Sequence, residues 1–301
     1  MRKFIYRVLP KDFNKTLYVW DVDKTYLNTN FESLKGLMKT LFEFSIDKRS
    51  IPGVKNLLLE LRKGAGPDIE ISPIYFISAS PVYLKKVLEG KFLLDGVQHD
   101  GIFLKDYLEL RKEVGKLRFK NNFAYKLVSL LNHRLHLPPA SKEILFGDDF
   151  ESDAEVYSIY ADILSSKIDE ENLAIRLSAQ RLHSREIDRI LCLFEKVGKS
   201  SEEVVRRIFI HLISPPASSL KGALNRFNIF SDRLVPTRNY MQTAAVLYEM
   251  GAISKNGFQR VANSFNLRYP RDGWTLMKSL KDLRDRGFLQ ENTFKELEFS
   301  R

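Results

Sequence analysis

Four short apolar runs organise the first half of the chain: Leu17–Trp20, Ile74–Ile77, Gly101–Leu104 and Glu143–Phe146. Near-continuous apolar runs of this length read as strands buried on both faces of a parallel sheet. Between them, apolar residues return at helical spacing. Phe31, Leu34, Leu37, Met38, Leu41 and Phe42 predict a helix within Asn28–Asp47. Pro52 suits the start of the next, whose stripe is Val54, Leu57, Leu58 and Leu61, and Gly64-Ala-Gly-Pro67 ends it. A third helix is expected over Val82–Glu89, and a fourth carries Phe123, Leu127, Leu130 and Leu131 before Pro138-Pro139 breaks it. Residues 1–15 are a lead-in, either an added edge strand or a surface segment. Strands alternating with helices predict an α/β fold with a Rossmann-like parallel sheet.

After about residue 165 the pattern changes. Ser200-Ser-Glu-Glu203 resembles a capping box ahead of Val204, Val205, Ile208, Phe209 and Leu212, which predicts a helix ended by Pro215-Pro216. Further helical stripes lie over Tyr240–Met250, Gly257–Phe265 and Trp274–Leu283, with Gly251 and Gly287 as C-terminal stops. No further strand is legible from Ala161 onward. The expected organisation is therefore a sheet-containing unit over 1–165 and an all-helical unit over 166–301. That division suits the 301-residue length, given about 150 residues per domain. The basic helix around Trp274 could pass for a DNA-recognition helix, but helix-on-helix packing with a solvated basic face is the simpler account.

Composition narrows the classes. No apolar run approaches the roughly 20 residues that span a bilayer. The N-terminus lacks the apolar core of a secretory signal. A single cysteine, Cys192, excludes an intramolecular disulfide and fits a reducing, cytoplasmic setting. Its run Ile190-Leu-Cys-Leu-Phe194 suggests a buried position rather than a nucleophile. The net charge of +10 points to anionic partners, namely phosphorylated substrates or an anionic membrane touched peripherally. Without a dense basic block, zinc-finger spacing or an RNP-like aromatic motif, dedicated nucleic-acid binding is disfavoured.

Candidate chemistry gathers where strands end. Leu17–Trp20 runs into Asp21-Val-Asp23-Lys-Thr25, and alternation along a strand lets Asp21 and Asp23 face one site. Ile74–Ile77 runs into Ser78-Ala-Ser-Pro81, and a hydroxyl before a helix start suits either phosphate holding or a simple cap. Glu143–Phe146 runs into Gly147-Asp-Asp-Phe-Glu-Ser-Asp153, a second acid-rich end. In open α/β sheets, ligands bind just beyond the carboxyl ends of strands. Oxygen donors from two such ends suit a hard cation such as Mg²⁺. Zinc is disfavoured, because no Cys or His cluster accompanies them. His133 and His136 could share a helix face, and read as surface or capping residues.

Taken in order, DxDxT at Asp21, Asp23 and Thr25, the strand-end Ser78, Lys126, and GDxxxxD at Gly147, Asp148 and Asp153 resemble the haloacid dehalogenase (HAD) superfamily of phosphohydrolases. Within it, DVDKTYLNTN, YFISASPVYL, GIFLKDY and ILFGDDFESDAEVY are similar to strings of the phosphatidate phosphatase catalytic-domain family, over about residues 15–160. Lys24 stands where that family usually has an acid, and Val82 where it has an aromatic. The resemblance implies a Mg²⁺-dependent phosphohydrolase that works through an aspartyl-phosphate, with phosphatidate as substrate. Asp21 would be the nucleophile, Asp23 the acid–base group, and Lys126 the charge partner. Thr25, Ser78, Ala79 and Lys126 would hold phosphate. Asp21, Asp23, Asp148, Asp149 and Asp153 are the candidate metal ligands. Lys116 and Lys120 are alternatives to Lys126. A soluble phosphomonoester substrate, or a non-catalytic binding or regulatory role on the same scaffold, are the competing expectations.

Overall fold

The computed structural model describes residues 2–28, 50–66, 71–106, 122–197, 203–213, 232–268 and 275–298. The helix expected within Asn28–Asp47 falls almost wholly outside these, as do Lys116 and Lys120. The elements in order are β1 (Arg2–Ile5), β2 (Thr16–Trp20), α1 (Val54–Lys63), β3 (Ile74–Pro81), α2 (Lys85–Asp95), β4 (Gly101–Lys105), α3 (Asn122–Arg134), β5 (Lys142–Asp148), α4 (Asp153–Leu164), α5 (Glu170–Ala179), α6 (Ser184–Val197), β6 (Val205–His211), β7 (Leu234–Thr237), α7 (Tyr240–Glu249), α8 (Lys255–Arg268), α9 (Leu276–Asp285) and α10 (Glu291–Glu298).

The strands form one seven-stranded sheet in the order β1-β4-β3-β2-β5-β6-β7. Every pairing is parallel except that of β1, which closes one edge antiparallel to β4. The lead-in is thus an edge strand. The two most chemically loaded strands, β2 and β5, lie side by side with Trp20 opposite Phe146, so the chain leaves both at the same rim. β3 flanks β2 on the other side, with Phe76 opposite Trp20. Sequence order 2, 3, 4 on one side and 5, 6, 7 on the other makes β2/β5 the switch point where α/β sheets open a crevice.

Both faces are covered, so β2, β3 and β5 are buried along nearly their whole length and carry apolar runs at their centres. Leu17 and Val19 face a core that includes Leu127, Leu130 and Leu131 of α3 and Val156 and Ile159 of α4. Tyr18 and Trp20 face the opposite one, with α1, α7 and α8 supplying Leu57, Leu61, Ala244, Phe258 and Val261. Gly64, Gly251 and Gly287 follow α1, α7 and α9 at positive φ, as expected of helix stops.

Three expectations are corrected, concerning residues 204–212 and the half that contains them, Cys192, and His133. Residues 204–212 are not a helix. Val205–His211 is β6, paired in parallel to β5, and Leu234–Thr237 adds β7 beyond it. Val205, Ile208, Phe209 and Ile210 form a β-branched and aromatic run buried between layers, and that composition favours a strand over the helix the spacing also permits. The second half is therefore not all-helical, and the sheet continues past residue 165. Cys192 is exposed, because α6 turns Ile190 and Leu193 inward and leaves Cys192 off that face. His133 is buried, packed between the rings of Tyr75 and Phe103, and only His136 is a surface histidine. Burial pushes the His133 pKa down to about 3, so it is a neutral core residue.

Candidate active site

β2 ends at Trp20, and the chain continues through Asp21, whose backbone amide still donates to the Phe146 carbonyl of β5 (2.9 Å). The ladder thus holds Asp21 at the rim. A tight turn follows, in which the Tyr26 and Leu27 amides both donate to the Val22 carbonyl (2.9 Å each) and the Lys24 amide donates to the Leu27 carbonyl (2.8 Å). Lys24 takes φ 58°, in the left-handed region that non-glycine residues seldom occupy. Its ammonium lies over the ring of Phe150, an exposed side chain from the loop after β5.

Lys126, from the second turn of α3, reaches the same rim. Its Nζ lies 3.0 Å from Asp21 Oδ1, 2.9 Å from Glu151 Oε2 and 2.5 Å from Asp153 Oδ1. Asp21, Lys126 and Asp153 are each about 1% exposed or less. Burial alone would lower the lysine pKa, but the surrounding charges of Asp153, Asp21 and Glu151 outweigh it and raise it. Burial raises the pKa of Asp21, opposed by Lys126 and reinforced by Asp153 and Asp148. Lys126 thus faces three acids within 3.0 Å, Asp21, Glu151 and Asp153.

Asp148 closes the third side. Its Oδ1 accepts from the Phe150 and Glu151 amides (2.7 and 3.2 Å), and its Oδ2 accepts from the Thr25 hydroxyl (3.3 Å). Burial and then the Asp153 charge push its pKa up to about 7. Asp153 opens α4, where the helix dipole favours a negative charge, and its Oδ2 accepts from the Asp148 amide (3.3 Å). Gly147 is required at this closure, because a Cβ there would meet Asp153 Oδ2 at 2.5 Å and Tyr157 Cε2 at 2.8 Å.

Asp21, Asp148 and Asp153 each place one carboxylate oxygen within 4.8 Å of the others. Asp21 Oδ2 is buried and has no hydrogen-bond partner among the described residues. An orphaned carboxylate oxygen beside two more buried carboxylates fits a hard, oxygen-ligated cation. Asp149, the neighbouring candidate, is not brought to this point: its Oδ1 accepts instead from the Ile213 amide (2.8 Å) beyond β6.

Asp23 faces a different set of groups. Its Oδ2 accepts from the Ser78 hydroxyl (3.2 Å) and the Ser80 hydroxyl (3.0 Å). Burial raises its pKa, and the Ser80 hydroxyl opposes the shift. Asp21 and Asp23 leave the same strand yet meet separate partners, a lysine for one and two hydroxyls for the other. Ala79 is buried in β3 between the serines. A register shift between Ser78 and Pro81 marks a bulge at this strand end, a device that re-aims side chains.

Three contributors went unread in the sequence. Ser80 was available from period-2 alternation with Ser78. Glu151 was visible only as one of several loop acids, yet it takes Lys126 on Oε2 and the Asn122 amide on Oε1 (3.2 Å). Lys105, at the end of β4, donates to Asn122 Oδ1 (3.1 Å), and burial brings its pKa down to about 8. Nothing local to Asn122 or Lys105 signals that link.

Among the described residues, no helix is long and apolar enough to cross a membrane. No curated protein and no solved structure matches the chain. The family model of the phosphatidate phosphatase APP1 catalytic domain matches residues 17–176, from the first residue of the β2 apolar run to α5. That stretch holds every residue of the cluster. The chain belongs to the phosphatidate phosphatase APP1 catalytic-domain family.

Proposed function

We propose that this protein is a Mg²⁺-dependent phosphatase that cleaves the phosphomonoester of phosphatidate through an aspartyl-phosphate on Asp21. The observation that carries it is the buried Asp21, held by Lys126 on one oxygen and without a partner among the described residues on the other, in a chain of this family. Asp21 attacks phosphorus in line through a carboxylate oxygen, and the bond from phosphorus to the glycerol oxygen breaks. Asp23 gives its proton to that departing oxygen. Its raised pKa, caused by burial, keeps a proton available for the step. In the second half-reaction Asp23 takes a proton from water as the water oxygen attacks phosphorus, and Asp21 leaves as the free carboxylate. Lys126 and Ser78 hold the phosphoryl oxygens, and Lys126 also offsets the charge of Asp21.

Asp21, Asp148 and Asp153 would hold Mg²⁺, together with the Asp23 backbone carbonyl. The ion would supply charge neutralisation at the phosphoryl oxygens. In this reading Thr25 acts by bonding Asp148 rather than by holding phosphate. The +10 net charge suits a protein that meets its lipid substrate at an anionic membrane surface.

The test is phosphate release with Mg²⁺ from phosphatidate in vesicles and, in parallel, from soluble phosphomonoesters. Turnover of phosphatidate is expected, and Asp23→Asn should lower it by about 10²–10⁴-fold, the range for acid–base groups. Turnover confined to soluble esters would overturn the lipid substrate. No turnover of either would overturn the phosphatase reading.

A further inference from the structure

The family match stops at residue 176, yet one side chain from beyond it reaches the site. Tyr240 opens α7, immediately after β7, and is 2% exposed. Its hydroxyl donates to the Thr25 backbone carbonyl at 2.5 Å, across 215 residues of sequence. Its ring stacks on His211 of β6 (5.2 Å between centroids, 10° between planes) and leans on Trp20 of β2 (5.8 Å, 36°). Trp20 stacks in turn on Phe146 of β5 (3.9 Å, 7°), and Phe146 on Phe209 of β6 (5.3 Å, 16°). Tyr240 thus packs directly on two rings, His211 and Trp20, and Trp20 continues the stack through Phe146 to Phe209 across β2, β5 and β6.

What it grips is the turn that carries the two leading acids. Thr25 is held at two of its polar groups: its carbonyl accepts from Tyr240, and its hydroxyl donates to Asp148. The neighbouring Lys24 sits in the left-handed region, so the turn is one that surrounding contacts must maintain. At the start of α1, a Cβ on Gly53 would come within 3.2 Å of Tyr240 Cβ, so the backbone there is pressed against the base of the tyrosine.

We propose that Tyr240 is a positioning residue for the Asp21–Thr25 turn, and that through it the C-terminal half is part of the catalytic unit rather than an appendage. The proposal rests on the phosphatase reading for its kinetic consequence, but its structural consequence can be read without turnover. Tyr240→Phe keeps the ring stack and removes only the hydroxyl. The expected result is a loss of about tenfold in kcat with KM little changed, the rate equivalent of about one net hydrogen bond. Hydrogen exchange of the Tyr26 and Leu27 amides should quicken, while exchange in β2 and β5 stays at the wild-type rate. Tyr248→Phe, on the same helix, removes a hydroxyl that bonds Glu296 (2.6 Å) at the surface, and it should leave both readouts unchanged. Wild-type exchange at Tyr26 and Leu27 in Tyr240→Phe would overturn the proposal, as would protection lost evenly across the sheet. An inactive wild type would count against the phosphatase reading, and the exchange data would still decide the role of Tyr240.

Discussion

Asp21→Asn should lower phosphatase turnover by at least about 10³-fold while the protein stays folded, because the variant keeps the shape of the side chain and removes its nucleophilic charge. The side chain sits where a conservative change is tolerated. Asp21 is buried, and burial already disfavours its charged form, so a neutral amide relieves a desolvation cost as it weakens the bond to Lys126. The substitution also leaves Asp148, Asp153 and Asp23 in place, and so separates the loss of the attacking group from the loss of the surrounding cluster. Steady-state phosphate release together with a thermal melt measures both. Turnover near the wild-type rate would remove Asp21 from the chemistry.

Lys126→Met should be the most destabilising single change in the site. It leaves Asp21, Asp153 and Glu151 facing one another with no cation between them. Removing one partner of a buried ion pair costs about 3–5 kcal/mol, because the charge left behind stays desolvated. The pH dependence follows from the sign of the shifts. In the wild type the lysine pKa is raised in the fold, so its contribution is complete at neutral pH and is lost only as pH rises through that folded value. In the variant the carboxylates lose an opposing charge: Asp21 and Asp153, already raised by burial, move further up, and Glu151, which Lys126 holds low against its own burial, moves up from that lowered position. A folded state that binds more protons than the unfolded one gains stability as pH falls. The deficit of Lys126→Met should therefore shrink between about pH 8 and pH 5, as denaturant titrations at both ends would show. A constant deficit across that window would mean that packing, not charge, is what the lysine contributes.

Much of the site was legible because the chemistry lies where strands stop. Asp21, Ser78 and Asp148 each follow or close an apolar run, and a parallel sheet puts such ends on one rim whatever the loops between them do. Motif order added Lys126 and Asp153, which are far apart in sequence and share a contact of 2.5 Å. Residues defined by tertiary packing were not legible. Nothing near Tyr240 in sequence mentions Thr25, and Glu151 looks no different from Asp149 until the loop is folded. The fold failed to read in one place for a definite reason. Val204, Val205, Ile208, Phe209 and Leu212 satisfy helical spacing and also form a short apolar run, and an acidic stretch before them imitates a cap. Only the uncovered side of β5, which needed a neighbour, decides for the strand. With β6 and β7 in the sheet, the second half becomes the wall against which the Asp21–Thr25 turn is set.

The most direct measurement is a rapid acid quench of the wild-type protein turning over phosphatidate with Mg²⁺, followed by mass spectrometry of the peptide that spans Leu17–Thr25. The account predicts one phosphoryl group on Asp21, formed within a single turnover, removed by hydroxylamine and absent in Asp21→Asn. Turnover by the wild type without any phosphorylated peptide, or with the phosphoryl group on another residue, would contradict it.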